Sequence, residues 1–530
     1  MPAEHGVVYT KAWVVDMVLD IAGYVPGGGI IDSLVVEPSC GHGAFMVAIA
    51  ERLADEIALC GRNWNELRGS VLGFDTDPNA LRVCNKLVRK ALEDRGCPQD
   101  LSADLVSGWL RCGDFLLDEI PGCDYVVGNP PYVRASDIER EKRDAYCKAL
   151  PSVTAGSDLY VGFFDRGLDI LREGGTLCFI CADRWLQNAY GKRLRGRIGT
   201  GCSLEALVRM HGVDAFDDEV DAYPAITLIR REPPHCPLRF VNCESGYGPQ
   251  DVPATEAWIR DPNTPCDGRR FEAFEVDRPN GEDVYPLGNL RTVRFVSRAQ
   301  AMLPSLEDSG VRIGIGIATG CDDVFVTEVE DLVEPSRMLP LFFMRDYRRG
   351  RPERKRWLVN PWDEKGSLVR LEDYPRLGAY LAAHEERLRK RYVSRSDESA
   401  WYRTIDRVKP GLLDRDLLLM PDMASQPDPI LSRGRYPHHN CYWIASDVWD
   451  LRVLGGLLMS DTTRRFVDAL GVKMRGGTLR FQAQYLRLVH VPRYEQLDDA
   501  VREGLARSFE TGNRDTATLF AEAAYEGALQ

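Results

Sequence analysis

Short apolar runs that end in an acidic or amide residue recur through the first 130 residues of the chain. Glu37, Asp75 and Asn129 each follow such a run. Up to about residue 230, strand-like and helix-like stretches alternate, and this alternation predicts a doubly wound α/β sheet. In such a sheet ligands bind in the crevice outside the carboxyl ends of the strands. We therefore expect these polar side chains to line one binding crevice.

The tetrapeptide Asn129-Pro130-Pro131-Tyr132 carries the most specific chemistry. An Asn side-chain oxygen and the carbonyl of the next Pro can both accept hydrogen bonds from one exocyclic NH2 group, while the prolines fix φ. Tyr132 then offers a flat face to a planar ring. The pattern predicts attack by an amine nitrogen attached to an aromatic or amide system, and N6 of adenine is the best candidate. An ordinary Pro-Pro loop is the alternative, because such turn residues are common.

A glycine-containing turn lies between the first strand-like run and a helix-like segment. Glu37 and Pro38 open this turn, and Gly41 and Gly43 follow. Glycine lacks Cβ, so the backbone can turn sharply and approach a ligand, and the next helix directs N–H groups at it. The turn therefore predicts a cofactor loop. A tight strand-to-helix connection without any ligand is the alternative.

Two more acids follow the next strand-like runs. Asp75 can accept both hydroxyls of a ribose, and we expect it to have no local structural role because Asp77 already caps the following helix. A third run, from Leu105 to Cys112, is interpreted as a strand and leads to Asp114 and Phe115. Asp114 could accept from the amino group of a cofactor adenine, and Phe115 could lie against its ring.

In this order the motifs resemble the amino-group DNA methyltransferases that use S-adenosylmethionine, and most closely the γ-group adenine-N6 enzymes typified by the TaqI methylase. The resemblance extends from about Tyr9 to Pro492. It implies an α/β, Rossmann-like class I methyltransferase domain followed by a mixed α+β target-recognition domain. It also implies S-adenosylmethionine as cofactor, double-stranded DNA as partner, and site-specific methylation of a flipped-out adenine as the modification step of a restriction-modification system.

The resemblance also assigns roles to individual residues. The catalytic set is Asn129, Pro130, Pro131, Tyr132 and Phe216. Phe216 falls where the family carries an aromatic ring that stacks on the extruded base, and Tyr223 is a nearby rival for that role. The cofactor-binding residues are implied partly by the strand ends and partly by the resemblance. They are Thr10, Glu37, Pro38, Gly41, Gly43, Asp75, Asp114, Phe115, Asn129 and Phe163.

The length of 530 residues predicts more than one domain. We expect a cofactor-binding catalytic domain over 1–230, an irregular linker over 231–289 that is rich in Pro, Asn, Asp and Gly, a target-recognition domain over 290–492, and a helical tail over 493–530. No apolar run reaches the length of a membrane span, and the first residues lack a secretory pattern. We therefore expect a cytoplasmic monomer.

The formal net charge of -13 argues against a DNA partner only if charge is averaged over the whole chain. Phosphate contact depends on a local basic patch, since distant charges are screened over roughly 8 Å at physiological salt. The predicted DNA-binding set is Arg345, Arg348, Arg349, Arg351, Arg354 and Lys355. A second basic segment, 387–395, is explained equally well by a solvated face.

Fifteen cysteines raise the question of metal binding. The single Cys-x-x-Cys pair, Cys178 and Cys181, lies in a strand-like run, where its side chains would not converge on an ion. We therefore expect buried reduced thiols and no metal. Acidic residues after Pro421 and Pro427 lack the further residues of a nuclease motif, so any cognate restriction endonuclease is expected to be a separate chain.

Two other functions fit the tetrapeptide or the fold. An RNA or protein-glutamine N-methyltransferase would also need a site for a planar NH2 group, but such enzymes usually lack a large domain after the catalytic one. About three hundred residues follow residue 230 here. A DNA-binding specificity module without activity conflicts with the cofactor loop and the tetrapeptide.

Overall fold

The computed structural model describes residues 9–217, 223–266, 269–279, 281–351, 354–395, 397–471 and 479–529. The chain divides into two compact units, Met1–Ser297 and Arg298–Gln530. The division after residue 230 that the composition predicted is therefore not the one observed.

One sheet organises the first unit. Among the described residues it contains nine strands in the order β3-β2-β1-β4-β5-β7-β6-β8-β9. Their bounds are β1 Val35–Glu37, β2 Val71–Asp75, β3 Leu110–Cys112, β4 Cys123–Gly128, β5 Leu171–Ala182, β6 Ser203–Arg209, β7 Pro224–Arg230, β8 Leu238–Cys243 and β9 Phe271–Val276. The strands from β3 to β5 are parallel, whereas β7 runs antiparallel to β5 and β6. The predicted doubly wound, mostly parallel sheet is confirmed.

Helices cover both faces of this sheet. Val35 packs into one hydrophobic cluster and its neighbour Val36 into another, and Val127 and Val126 divide in the same way. Successive side chains of a strand point to opposite faces, so both faces of the sheet are buried. The helices of this unit are α1 Ala12–Ala22, α2 Ala44–Cys60, α3 Pro78–Asp94, α4 Gln99–Trp109, α5 Arg140–Ala149, α6 Tyr160–Ile170, α7 Lys192–Gly201 and α8 Val252–Arg260. The next helix, α9 Leu290–Met302, contains the division after Ser297.

Two sequence predictions about this unit are wrong. The segment 231–289 is not an irregular linker, because β8 pairs in parallel with β6, β9 pairs antiparallel with β8, and α8 lies between them. The run from Leu105 to Cys112 is a strand only from Leu110 onwards. Its first part ends α4, where Trp109 is buried and donates a hydrogen bond to the carbonyl of Leu67 at 3.0 Å.

The second unit mixes small sheets with short helices. Its strands are β10 Val311–Ile315, β11 Val326–Thr327, β12 Met338–Phe342, β13 Trp357–Val359, β14 Leu417–Pro421, β15 Met423–Ala424, β16 Ile430–Ser432, β17 Tyr436–Pro437, β18 Cys441–Ser446 and β19 Leu479–Arg480. Its helices are α10 Asp322–Phe325, α11 Met344–Arg348, α12 Pro375–Ala382, α13 Glu385–Arg389, α14 Tyr392–Arg395, α15 Leu451–Met459, α16 Asp461–Leu470, α17 Ala483–Leu486, α18 Asp499–Thr511 and α19 Arg514–Ala528.

Helices α15 and α18 pack closely within this unit. A Cβ added at Gly455 of α15 would lie 2.7 Å from the ring of Phe509 in α18, and one at Gly456 would lie 2.2 Å from the carbonyl oxygen of Leu505. Glycine therefore allows α15 and α18 to approach each other closely. Within the described residues, no helix of either unit combines the length and the apolar character that a bilayer crossing requires.

Candidate active site at the carboxyl edge of the sheet

Asn129 lies directly after β4, at the carboxyl edge of the sheet. Its Nδ2 donates to Thr10 Oγ1 at 3.1 Å, and its backbone carbonyl accepts from Ser39 Oγ at 3.2 Å. The preceding Gly128 has φ 153°, and a Cβ there would lie 3.3 Å from Glu37 Cγ. Asn129 is thus fixed by contacts from two segments that are distant in sequence.

The rest of the tetrapeptide turns into the same crevice. Pro130 is buried, and Pro131 and Tyr132 are half-buried. The Tyr132 hydroxyl is buried without a hydrogen-bond partner among the described residues, and burial raises the pKa of Tyr132 well above its usual value. The carbonyl of Val133 accepts from the backbone N–H of Leu159 at 2.9 Å, which ties this loop to the start of α6.

Phe216, rather than Tyr223, faces Tyr132. The Tyr132 and Phe216 rings lie edge to face, with centroids 6.2 Å apart and planes at 78°. Tyr223 instead packs against His211, with centroids 4.8 Å apart, and beneath the Arg184 guanidinium. The sequence left this choice open, and the packing favours Phe216.

The backbone around Phe216 is paired with the beginning of the described chain. Thr10 and Phe216 form an isolated antiparallel bridge. Lys11 N–H donates to the Ala215 carbonyl at 3.1 Å, and Asp217 N–H donates to the Tyr9 carbonyl at 3.0 Å. Residues 218–222, which follow, lie outside the described residues.

The glycine turn between β1 and α2 has the form of a ligand loop. Gly41 and Gly43 have positive φ values of 49° and 97°. A Cβ at Gly43 would lie 2.8 Å from Cys84 Sγ in α3, whereas a Cβ at Gly41 would meet nothing within 4 Å. Gly43 is therefore required by packing, and Gly41 leaves open space beside the backbone.

Asp75 has a local structural role, contrary to expectation. Its Oδ2 accepts from Gly41 N–H and its Oδ1 accepts from Asp77 N–H, both at 2.8 Å. Asp75 therefore fixes the glycine loop and the turn before α3. An ionised carboxylate offers about four acceptor positions, so two of them stay available to a ligand.

Glu37 is a buried acid at the end of β1. Its Oε2 has no hydrogen-bond partner among the described residues. Burial, followed by the proximity of Cys84 and Asp75, raises the pKa of Glu37 well above its usual range. The adjoining Pro38 is also buried and lies against Gly128. A buried carboxylate oxygen of this kind can accept a hydrogen bond from a bound ligand.

Asp114, Phe115 and Phe163 meet beyond β3. Asp114 Oδ1 accepts from Leu116 N–H at 3.0 Å, and its Oδ2 accepts from the Tyr146 hydroxyl at 2.8 Å. The rings of Phe115 and Phe163 are stacked, with centroids 5.6 Å apart and planes at 13°. A third ring between them would need roughly 7 Å, so a planar ligand has to lie against one side of the pair.

A buried charged cluster at the same edge was not predicted. Asp183, just after β5, accepts from Arg209 Nε at 3.1 Å and contacts His211 Nε2 at 2.8 Å. Burial opposes the charge of Asp183, but the contacts with His211 and Arg209 outweigh it and lower the pKa. Asp183 lies 26 and 28 positions before Arg209 and His211, so no local sequence pattern predicts the cluster. It ties the carboxyl ends of β5 and β6 together.

The two cysteines of the Cys-x-x-Cys pair lie in β5 and are buried. Burial raises the pKa of both Cys178 and Cys181. A raised pKa keeps the thiol protonated, and the protonated form is a poor metal ligand.

The basic residues predicted to bind DNA lie in the second unit and are partly neutralised. Arg354 pairs with Glu328, and Lys355 lies 3.8 Å from Glu330. Arg348 donates to the Met423 carbonyl at 2.7 Å. The exposed side chains that form no ion pair with a described residue are Arg345, Arg348, Arg349 and Arg351.

The sequence of this chain is similar to those of known restriction-modification proteins. Residues 108–216, which include the tetrapeptide and Phe216, match the family described as Eco57I restriction-modification methylase. The chain is 34% identical to the type II methyltransferase M.XhoI of Xanthomonas vasicola, over 98% of this chain and 96% of that protein. It is 36% identical to the type II methyltransferase M.PaeR7I of Pseudomonas aeruginosa, over 95% and 88%.

Among solved structures, the chain resembles the type IIL restriction-modification enzyme MmeI, which was solved in complex with DNA. The TM-score is 0.54 at 13% sequence identity, over 98% of this chain and 72% of that one. At this identity the likeness concerns the fold alone.

Proposed function

Because the chain belongs to the type II methyltransferases, which modify DNA in restriction-modification systems, we propose that it methylates N6 of an adenine turned out of double-stranded DNA. The methyl donor in this proposal is S-adenosylmethionine. The arrangement of Asn129, Tyr132 and Phe216 at one edge of the sheet carries the proposal.

The residues around the glycine loop suit S-adenosylmethionine. Glu37 offers a buried carboxyl oxygen that lacks a partner among the described residues, and a hydroxyl or ammonium donor of the ligand would stabilise its ionised form there. Asp75 has acceptor positions beyond those used by Gly41 and Asp77, which suits ribose hydroxyls. The open space at Gly41 admits close approach, and the Phe115–Phe163 pair offers an apolar face to the adenine.

Asn129 and the Pro130 carbonyl act on the target nitrogen. Both oxygens can accept hydrogen bonds from one NH2 group, so they orient N6 and increase its electron density. Asn129 Nδ2 donates to Thr10 Oγ1, which orients the amide, and in this proposal Oδ1 is the atom that accepts from the base. When bound, the cofactor supplies an electrophilic methyl group on a sulfonium sulfur. The chain's contribution is therefore positioning and electrostatics.

Tyr132 and Phe216 receive the extruded base. Removing a base from the duplex stack costs a few kcal/mol, which stacking and hydrogen bonds in the pocket offset. The rings are edge to face at 6.2 Å, so to enclose a base they must become parallel and separate to roughly 7 Å. The Tyr132 hydroxyl makes no hydrogen bond to a described residue that would oppose this rotation.

The two units have different roles in this proposal. The first binds the cofactor and carries the chemistry, and the second binds the target duplex. Exposed arginines of the second unit, including Arg345, Arg349 and Arg351, would contact phosphates, while other side chains there read base edges. We further propose that the protein acts as a monomer and that a cognate endonuclease, where one exists, is a separate chain.

Expression in a host that lacks adenine methylation tests the proposal. Long-read sequencing should detect N6-methyladenine at one recurring sequence, and the Asn129→Ala variant should leave the same genome unmodified. With purified protein, label from tritiated cofactor should enter duplex DNA and not tRNA or translation factors. Label confined to RNA or protein would contradict the proposal, as would an unmodified genome despite well-folded, cofactor-binding protein.

A further inference from the structure

A cluster in the second unit has no part in the proposed methylation chemistry. Asp322, His438 and His439 each offer one ligand atom, and these atoms all lie within 4.8 Å of one another. Asp322 Oδ2 is 3.1 Å from His438 Nε2, and the two imidazole rings are 4.1 Å apart between centroids. Two imidazoles and one carboxylate form a ligand set typical of zinc and related transition-metal ions.

Burial distinguishes this cluster from an ordinary surface group of polar side chains. The His438 side chain is fully buried, with 0% exposure. Its Nδ1 has no hydrogen-bond partner among the described residues, and the same holds for the buried Nδ1 of His439. Leaving a buried polar atom without a partner costs about 1–3 kcal/mol. A metal ion gives an imidazole nitrogen the partner that no described side chain supplies.

The backbone that carries the two histidines is already fixed. His438 forms a parallel bridge with Ile317, and its N–H donates to the Phe342 carbonyl at 3.2 Å. His439 N–H donates to the Ile317 carbonyl at 3.0 Å. A Cβ at Gly316 would lie 2.2 Å from the His438 carbonyl oxygen, so the two segments are packed as closely as glycine permits.

The carboxylate is held by a second hydrogen bond. Asp322 begins α10, and its Oδ1 accepts from the hydroxyl of the buried Thr319. This contact leaves Oδ2 directed at His438. A hydrogen-bonded partner behind a carboxylate ligand is usual in metal sites, because it orients the ligand.

A cavity lies beside the segment that carries the two histidines. A cavity of about 460 Å³ is lined by Gly316, Ile317 and Tyr436, among others, and these residues adjoin the histidine segment. Asp322 and His439 are partly exposed. Solvent therefore reaches two of the three ligand residues, and water can complete the coordination of an ion bound there.

We propose that Asp322, His438 and His439 bind one divalent transition-metal ion of the Zn²⁺ class, which fastens the start of α10 to the segment after β17. This site was not predicted from the sequence, where only the cysteines were considered as metal ligands. The ion cross-links residues more than one hundred positions apart and stabilises the second unit.

Equilibrium dialysis of the full, tag-free chain against Zn²⁺, followed by elemental analysis, tests the site. The unaltered chain should bind one equivalent of Zn²⁺, and Asp322→Asn and His439→Gln should each weaken binding by more than about tenfold. These two residues are partly exposed, so the variants should fold, which circular dichroism checks. Asp323→Asn and His384→Gln are matched controls, because they make the same replacements outside the cluster. Both variants should bind Zn²⁺ as tightly as the unaltered chain does.

Two further readouts identify the ligands. Co²⁺ in place of Zn²⁺ should give visible d–d bands without a thiolate-to-cobalt charge-transfer band, and Zn²⁺ should raise the unfolding temperature only when Asp322 and His439 are present. Binding that survives Asp322→Asn and His439→Gln would overturn the proposal. So would a thiolate band that Cys236→Ser abolishes, since Cys236 belongs to another cluster, with Glu205 and His235. None of these measurements uses DNA or the methyl donor, so their outcome does not depend on the methylation proposal.

Discussion

Thr10 and Phe216 are joined by an isolated antiparallel bridge, and the Thr10 hydroxyl accepts from the amide of Asn129. One residue near the beginning of the described chain thus fixes both the proposed hydrogen-bonding group and one of the two proposed stacking rings. Tyr132, the other ring, follows Asn129 by three residues. The three functional groups are therefore positioned relative to one another by Thr10.

Replacing Asn129 by Ala should remove most turnover while leaving cofactor affinity nearly intact. The loss should be about 10²- to 10³-fold in the single-turnover rate, because the side chain acts on the target nitrogen. Tritium transfer to duplex DNA measures the rate, and calorimetry with the cofactor measures affinity. Thr10→Ser, which retains the hydroxyl, serves as a control. A large loss of cofactor affinity in Asn129→Ala would count against the role given to this residue.

Replacing Tyr132 by Ala should weaken binding to a normal duplex more than to one with a mismatched target base. A mismatched base leaves the stack more easily, so it depends less on the stacking ring. Tyr132→Phe is the matched control, because it keeps the ring and removes a hydroxyl that has no partner among the described residues. Fluorescence titration compares the duplexes, and equal losses on both would exclude a stacking role.

Most of the fold of the first unit could be predicted from the sequence, and the features that were missed have physical reasons. Alternating strands and helices identified the doubly wound sheet, and the tetrapeptide lies at the edge where we propose that the reaction occurs. The strand Leu238–Cys243 was missed because flanking Pro and Asn residues signal loops, whereas its pairing with β6 depends on tertiary contact. The role of Asp75 was missed because it depends on where the N–H groups of Gly41 and Asp77 point. Spacing in the sequence does not contain that information.

Neutralising exposed arginines of the second unit should reduce the salt dependence of DNA binding. Changing Arg345, Arg349 and Arg351 to Ala should lower the slope of log affinity against log salt by about one for each phosphate contact removed. Arg354→Ala is the control, because Arg354 is paired with Glu328. Titrations at several salt concentrations measure the slope, and an unchanged slope in the triple variant would show that these residues do not contact phosphate.

Gly43→Ala should destabilise the first unit and reduce cofactor affinity. The new Cβ would lie 2.8 Å from Cys84 Sγ in a backbone conformation with φ 97°, and the expected cost is about 1–3 kcal/mol. Adding Cys84→Ala should restore part of the lost stability by removing the sulfur. Gly41→Ala, where a Cβ meets nothing within 4 Å, should cost less in stability. Thermal unfolding ranks the variants, and an absence of rescue by Cys84→Ala would rule out this packing explanation.

Glu256→Gln should stabilise the protein above neutral pH. Burial and the nearby Asp20 raise the pKa of Glu256 to about 7 in the folded chain, from 4.5 in the unfolded chain. The folded state binds the Glu256 proton more tightly than the unfolded state does. The free energy of unfolding is therefore highest at low pH and falls as the pH rises from about 4.5 to 7. Glutamine cannot ionise, so the variant should gain up to about 3 kcal/mol at pH 8 and little at pH 4.5.

Urea unfolding at the two pH values measures this difference. Glu244→Gln is the control, because Glu244 is an exposed residue of the same unit and its replacement removes only a surface carboxylate. A gain of equal size at pH 4.5 and pH 8 would mean that ionisation of Glu256 is not its cause.

The continuation of the sheet through β8 and β9 decides where chimeric enzymes can be joined. An exchange of second units between relatives at residue 230 would remove β8 and β9 from the sheet. The backbone edge of β6 would then be unpaired, and unpaired strand edges promote aggregation. A junction placed after β9, between Val276 and Leu290, keeps that edge covered and leaves α9 whole. Under the division of roles proposed above, a redesign of target specificity therefore has to keep these two strands with the first unit.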